Sequence, residues 1–291
     1  MKPWSDRFWN SPDGLRLHYR DYDGPHERPP ILCIPGLTRN ARDFEPVAER
    51  FAGEWRVIAV DLRGRGLSEA DPNPINYLPQ TYAGDLVKLL DQLGIADAVF
   101  IGTSLGGIVT MVTAMQDSER IAGALLNDIG PRVEPAGIAR IQSYVGKEAS
   151  FASWEELAHA LAERNGEAFP DWDMAQWDRF ARRMAVEEGG TIRFHYDPAI
   201  AQVFEVTATA PPVESWPYYQ ALAGRPVTVL RGALSDLFSE EVFERMGREI
   251  PDVELVTVPR AGHAPSLDES ESLAAIERLL GRVLARNEVA A

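Results

Sequence analysis

A serine between glycines is the first candidate for chemistry in this chain of 291 residues. Ser104 lies in the pentapeptide Gly-Thr-Ser-Leu-Gly at 102–106, after an apolar run at 99–101 and before a helix-like run that starts at Ile108. A sharp strand-to-helix turn of this kind exposes the serine hydroxyl above a sheet, and flanking glycines avoid steric clashes in the turn. The helix N-terminus favours developing negative charge. The pattern therefore predicts Ser104 as a nucleophile.

A serine hydroxyl needs a base within reach, and His263 is the best candidate among the five histidines. It follows the apolar run 255–258 and precedes the last helical pattern of the chain. Catalytic loops of open α/β sheets lie at the carboxyl ends of the strands. We therefore expect His263 to lie on the same sheet edge as Ser104.

An imidazole base also needs a carboxylate that fixes its tautomer. Asp236 follows the run 227–230 and gives the chain order Ser, Asp, His, so it is our prediction. Asp128 follows the run 124–126 and is the alternative, although we expect it to stabilise the turn 127–131.

Two backbone N–H groups should bind the oxyanion that forms in acyl transfer. Leu105 follows the nucleophile and is expected to supply one of them. Leu37 lies in the turn after the run 31–34 and is expected to supply the other, with Gly36 allowing the backbone to turn beside the substrate. No metal-ligand cluster is visible, and this chemistry requires neither a metal nor a cofactor.

Short apolar runs alternate with helical patterns along most of the chain, which predicts a doubly wound, mostly parallel α/β sheet. Residues 8–19 predict an antiparallel hairpin before it. The segment 131–217 shows helical patterns and no strand pattern, so we predict a helical lid there, inserted into a core domain formed by 1–130 and 218–291. Trp154 and Trp216 lie in the predicted lid and are candidates to line a substrate pocket.

Composition narrows the class of protein. The apolar fraction of 45% is typical of a globular protein. The net charge of −15 disfavours nucleic acid and anionic membrane surfaces as partners, because like charges repel. The N-terminus has no apolar stretch of signal-peptide length and no window resembles a membrane span, so a cytoplasmic location is expected. Cys33 is the only cysteine and is predicted to be buried in a strand. No pattern specifies an oligomeric state.

These motifs, together with the stretch Asp-Leu-Arg-Gly-Arg-Gly-Leu-Ser at 61–68, resemble those of the α/β-hydrolase superfamily. The resemblance covers nearly the whole chain outside the predicted lid, in the branch that includes carboxylesterases, lactonases and carbon–carbon bond hydrolases. It implies a structural role for 61–68. Pro35 precedes Gly36 where that family often has histidine, so a side-chain contribution to the oxyanion turn is missing.

The resemblance implies a hydrolase that cleaves a small ester or lactone through an acyl-serine intermediate, and the aromatic content favours an apolar acyl or aryl group. Carbon–carbon bond hydrolysis of a vinylogous diketone is an alternative, although those hydrolases commonly carry tryptophan where this chain has Ala264. An acidic diketone would need a cation in the pocket, and five arginines are available: Arg39, Arg140, Arg182, Arg183 and Arg193. A small-molecule receptor on the same scaffold is a third possibility.

Overall fold

The computed structural model describes residues 3–147, 149–204 and 215–290. Its strands are β1 (Ser5–Asn10), β2 (Arg16–Tyr22), β3 (Ile31–Ile34), β4 (Val57–Asp61), β5 (Ala98–Thr103), β6 (Ile121–Asn127), β7 (Ser150–Phe151), β8 (Ala185–Glu188), β9 (Thr191–Phe194), β10 (Val227–Gly232) and β11 (Glu254–Val258). Its α-helices are α1 (Glu45–Phe51), α2 (Pro79–Leu93), α3 (Leu105–Gln116), α4 (Pro135–Gln142), α5 (Trp154–Asn165), α6 (Met174–Met184), α7 (Trp216–Gln220), α8 (Glu240–Glu249) and α9 (Ser270–Ala290).

The main sheet has the order β1-β2-β4-β3-β5-β6-β10-β11. The β1–β2 and β2–β4 pairs are antiparallel, and every later neighbouring pair is parallel. The five apolar runs named in the sequence analysis lie in strands of this sheet, and the N-terminal hairpin is present. The predicted doubly wound α/β architecture is therefore confirmed.

Alternate residues of the central strands enter two separate apolar layers. In β3, Leu32 and Ile34 pack in the layer that contains α2 and α3, whereas Ile31 and Cys33 pack in the layer that contains α1 and α9. All four side chains are fully buried, as expected for a strand covered on both faces. Two-sided burial fixes the strand register and so fixes where each loop leaves the carboxyl edge of the sheet.

The segment between β6 and β10 contains helices α4–α7, but it also forms a small antiparallel sheet in the order β7-β9-β8. The prediction of a segment without strands is wrong at this point. These strands have only two to four residues, too few for a clear alternating pattern. The readable signal is Gly189-Gly190, a two-residue turn with both φ angles positive that joins β8 to β9. Part of the predicted lid, residue 148 and residues 205–214, lies outside the described residues.

Aromatic rings pack the connection between α5 and α6 against α6 within this inserted segment. Phe169 stacks on Trp172 with ring centroids 4.4 Å apart, and the rings of Trp172 and Trp177 are 4.7 Å apart. Trp177 is buried, so these rings act as internal packing of the segment.

Candidate active site

Ser104 occupies the tight turn between β5 and α3. Its φ of 52° and ψ of −114° are strained for a residue with a side chain. A Cβ on Gly102 would lie 2.4 Å from the backbone of Gly106, and a Cβ on Gly106 would lie 2.1 Å from the carbonyl oxygen of Ile34. Glycine is therefore required at both positions, because β5, α3 and β3 approach one another too closely for any side chain.

His263 lies in the loop between β11 and α9, on the sheet edge where we expected it. Its Nε2 is 2.9 Å from Oγ of Ser104. The imidazole is largely buried, with 9% of the side chain exposed. The structure thus brings together the predicted nucleophile and the predicted base at hydrogen-bonding distance.

Asp128 supplies the carboxylate that contacts the imidazole. It follows β6 with a left-handed backbone (φ 55°), and its side chain is fully buried. Its Oδ2 lies 2.7 Å from Nδ1 of His263. The structure gives this contact to Asp128 and not to Asp236, which corrects our prediction from the sequence.

Asp236 forms an ion pair with Arg140 of α4 instead. The guanidinium donates two hydrogen bonds, from Nε at 2.5 Å and from Nη2 at 2.8 Å. These bonds hold the pKa of Asp236 below its ordinary value. Two hydrogen bonds to Arg140 thus occupy the carboxylate of Asp236, and Asp128, which gives the same chain order of Ser, Asp and His, makes the contact with the imidazole.

The loop after β10 still contributes to the site, because it binds Asp128. The N–H of Gly232 donates to Oδ1 of Asp128 at 2.8 Å, and Oγ of Ser235 donates to Oδ2 at 2.6 Å. Together with His263, these donors satisfy a carboxylate that has no access to water. A buried carboxylate is stable only when it is hydrogen-bonded in this way.

Asn127 is a further residue of the site, and the sequence analysis did not predict a role for its side chain. Its Nδ2 donates to the carbonyl of Pro265 at 2.8 Å and to Oγ1 of Thr103 at 3.1 Å. The backbone carbonyl of Asn127 accepts from the N–H of Ser104 at 3.0 Å. The side-chain amide thus links the loop that carries His263 to Thr103, the residue before Ser104. No motif marks it in the sequence beyond its position at the end of β6.

The turn predicted to bind the oxyanion lies beside the serine. A Cβ on Gly36 would be 3.7 Å from Cβ of Ser104. The N–H of Leu37 has no acceptor among the described residues. The carbonyl of Leu37 accepts a 2.8 Å hydrogen bond from Nε of Arg65, a fully buried residue of the 61–68 stretch. This stretch therefore positions the turn, in keeping with the structural role that the resemblance implied.

A cavity of about 150 Å³ opens at Ser104 and His263. Gly36 lines it, as predicted. Its apolar wall comes mainly from the inserted segment and includes Ile141, Val145, Leu161, Phe169, Phe180, Met184 and Phe194.

The two tryptophans predicted for the pocket are not among its lining residues in the part of the chain that the structure describes. The guanidinium of Arg182 lies over Trp154, with its central carbon 4.7 Å from the centroid of the tryptophan ring. Trp216 is buried in the core layer that includes α3. Large rings are attractive pocket candidates from sequence, but here they pack within the protein.

The sequence matches the profile of the alpha/beta hydrolase family over residues 31–276, so the chain belongs to that family. It is similar to the 3-hydroxybutyrate-oligomer hydrolase of Cupriavidus necator, with 34% identity over 91% of this chain and 92% of the relative. It is 28% identical to the 2-(acetamidomethylene)succinate hydrolase of Mesorhizobium japonicum over 81% of each chain.

A solved structure has nearly the same fold. The crystal structure of an alpha/beta hydrolase from Novosphingobium aromaticivorans DSM 12444 superposes with a TM-score of 0.93 at 52% identity, covering 97% of this chain and 99% of that one. In the residues that the structure describes, no helix is both long and apolar enough to span a bilayer.

Proposed function

We propose that the protein hydrolyses a small carboxylic ester or lactone through an acyl-serine intermediate. The observation that carries this proposal is the continuous chain of contacts from Ser104 through His263 to buried Asp128. The alignment of a hydroxyl, an imidazole and a carboxylate is the arrangement that activates a serine for acyl transfer. The related hydrolase of 3-hydroxybutyrate oligomers supports an ester as the bond cleaved.

The contacts define the proton path of this reaction. Nε2 of His263 accepts the proton of Ser104 as Oγ bonds to the carbonyl carbon. The N–H groups of Leu37 and Leu105 stabilise the resulting oxyanion. Collapse breaks the bond to the alcohol, which leaves with the proton from His263. Water then attacks the acyl-serine, His263 takes its proton and returns it to Oγ, and the carboxylic acid departs. Asp128 holds the imidazole tautomer throughout.

The inserted segment serves in this proposal as the lid of the site. Its helices α4, α5 and α6, together with Val145, Phe169 and Phe194, supply most of the apolar cavity wall, which favours a substrate with a short apolar acyl chain. Closure over the serine excludes bulk water from the oxyanion. The core in this proposal is formed by 1–130 and 218–291.

The decisive experiment is hydrolysis of 4-nitrophenyl butyrate by the wild-type protein and by Ser104→Ala. We expect the variant to lose at least about 10³-fold in kcat, because the nucleophile and its base act as a unit. After incubation with a fluorophosphonate probe, mass spectrometry should show an increase in mass from covalent labelling in the wild-type protein and none in Ser104→Ala. Equal turnover by the two proteins would disprove the proposal.

Carbon–carbon bond hydrolysis is the second candidate, favoured by the arginines of the cavity. Of the five predicted cations, Arg39, Arg140 and Arg183 line it and could bind an acidic diketone. Turnover of a 2,4-diketo acid at a rate that exceeds that of butyrate esters would favour this candidate. The reverse ranking would favour the esterase.

A further inference from the structure

Arginines are concentrated around the cavity of a protein that is otherwise strongly acidic. The chain has 44 acidic and 29 basic residues apart from histidine. The cavity lining reverses that balance with four arginines, Arg39, Arg140, Arg164 and Arg183, against the single carboxylate of Asp43. A concentration of positive charge around a cavity attracts anions and raises their local concentration.

Three of these arginines act on one phenol, that of Tyr144. The guanidinium of Arg164 of α5 lies 5.4 Å from the centroid of its ring, and Arg140 of α4 is close enough for its charge to act on the phenol. Arg39, from the turn after β3, is close enough for its charge to act on the phenol as well. Three different segments of the chain therefore direct positive charge to one wall of the cavity.

The charges of these arginines are neutralised to different extents. Arg39 is bound by Asp43 through two hydrogen bonds. A guanidinium has five N–H donors. Nε and Nη2 of Arg140 donate to Asp236, so the N–H groups of Nη1 are left for another acceptor. Arg164 forms no ion pair with the described residues. Arg140 and Arg164 thus retain donors for an anion.

Within this cluster, Arg140 lies on the side of the cavity near the imidazole, because its partner Asp236 is close enough for the charge of His263 to act on it. Asp236 binds Arg140, and its neighbour Ser235 hydrogen-bonds the same Oδ2 of Asp128 that contacts His263. In ester hydrolysis the imidazole protonates the leaving alcohol, so that side receives the alcohol portion of the substrate.

We infer that Arg140 and Arg164, with Tyr144, bind a free carboxylate on the alcohol portion of the substrate. The substrate class is then an ester of a hydroxycarboxylic acid, with its hydroxyl esterified and its acid group free. This inference rests on the proposed ester hydrolysis. The apolar wall receives the acyl chain, and the arginines select the charged end.

The test compares two substrates that differ only in that charge: the linear dimer of 3-hydroxybutyrate and its methyl ester. We expect the wild-type kcat/KM to favour the free acid by about ten- to a hundredfold, the range of one charge-assisted interaction. Arg164→Gln and Arg140→Gln should bring this ratio close to one, and Arg164→Lys should restore part of it. Added salt should lower the wild-type ratio, because the guanidinium of Arg164 is exposed.

Arg182→Gln is the matched control, since Arg182 pairs with Asp178 on the exposed surface and is not among the cavity-lining residues described. Its ratio should equal that of the wild type. Equal use of the two substrates by the wild type, or an equal loss in Arg182→Gln, overturns the inference. So does failure to cleave the free-acid dimer while 4-nitrophenyl butyrate is turned over. None of these results would contradict ester hydrolysis by Ser104. That proposal fails only if Ser104→Ala still turns over 4-nitrophenyl butyrate.

Discussion

The carboxylate of Asp128 lies 2.7 Å from Nδ1 of His263, although 135 positions separate the two residues in the chain. The strand β6 ends beside β5, so the loop that carries Asp128 and the turn that carries Ser104 leave the sheet as neighbours. Asp236 follows β10, which lies between β6 and β11, the strand that precedes His263. Strand order alone therefore does not favour Asp128, yet Asp128 makes the contact, and the loop after β10 supplies hydrogen bonds to its carboxylate.

Exchange of the two carboxylates for amides should separate their roles. Asp128→Asn is expected to lower kcat for 4-nitrophenyl butyrate by about 10³–10⁴-fold, because an amide no longer fixes the productive imidazole tautomer. Asp236→Asn removes only the partner of Arg140, so its kcat should stay within about tenfold of the wild type. Steady-state kinetics of both variants checks this order. The opposite order would return the role to Asp236.

Release of Arg140 from Asp236 has a second consequence for substrate preference. Asp236→Asn should raise the ratio of kcat/KM for the free-acid dimer over its methyl ester above the wild-type value, since a competing carboxylate is gone. A threefold rise or more is expected for an exposed pair of about 1 kcal/mol. A lower ratio in this variant would contradict carboxylate binding by Arg140.

Ser235→Ala tests the hydrogen bond that supports Asp128 from the β10 loop. Loss of the 2.6 Å bond leaves the buried carboxylate with one donor fewer, so we expect kcat to fall by about three- to tenfold. Ser239→Ala is the control, because the buried Oγ of Ser239 has no partner among the described residues. If kcat falls equally in both variants, the effect comes from the loop as a whole and not from the hydrogen bond to Asp128.

The elements of this site could be predicted from sequence to different depths. Ser104 follows β5, which is buried on both faces, and His263 follows the partly exposed edge strand β11. The apolar run in each strand is enough to place both residues on one sheet edge. The choice between Asp128 and Asp236 depends on the direction of each side chain, and both follow strands with the same type of pattern. Asp236 pairs with Arg140, a residue of the inserted segment whose position no local pattern reveals.

The packing within the inserted segment also could not be predicted from local sequence patterns. The strands β7–β9 are too short to show a period, although the turn at Gly189-Gly190 marks the hairpin. Trp154 and Trp216 carry the same apolar area whether they line a cavity or a core, so composition alone could not exclude them from the pocket.

The close packing at the nucleophile turn predicts a large loss of stability for Gly106→Ala. The added methyl group would meet the carbonyl oxygen of Ile34 at 2.1 Å, so the sheet or the helix must move, at a cost of at least about 2 kcal/mol. Gly281→Ala is the matched control in α9, where no atom lies within 4 Å, and it should stabilise by about 0.5–1 kcal/mol. Urea unfolding followed by circular dichroism measures both changes. Equal midpoints for the two variants would contradict the close approach.

His195 gives a pH dependence to the contact between the inserted segment and the core. Burial lowers the pKa of His195, and the charge of Arg42 lowers it further, against the opposing charges of Asp61 and Glu188. The neutral ring accepts a 3.2 Å hydrogen bond from Nη2 of Arg42 at Nδ1. Nη1 of Arg42 donates to the carbonyl of Arg182 at the end of α6, at 2.9 Å. Protonation of the ring would place two cations together at this junction.

The sign of the effect follows from the lowered pKa. A histidine whose folded pKa lies below its unfolded value of about 6.5 binds fewer protons when folded, so its contribution to stability is present above pH 6.5 and is lost as the pH falls. The Tm of the wild type should therefore drop between pH 7.5 and pH 5.5. His195→Asn, which keeps an acceptor for Arg42 and cannot titrate, should show a smaller drop. Scanning calorimetry across this range measures the difference, and parallel curves for the two proteins would show that His195 is not the group responsible.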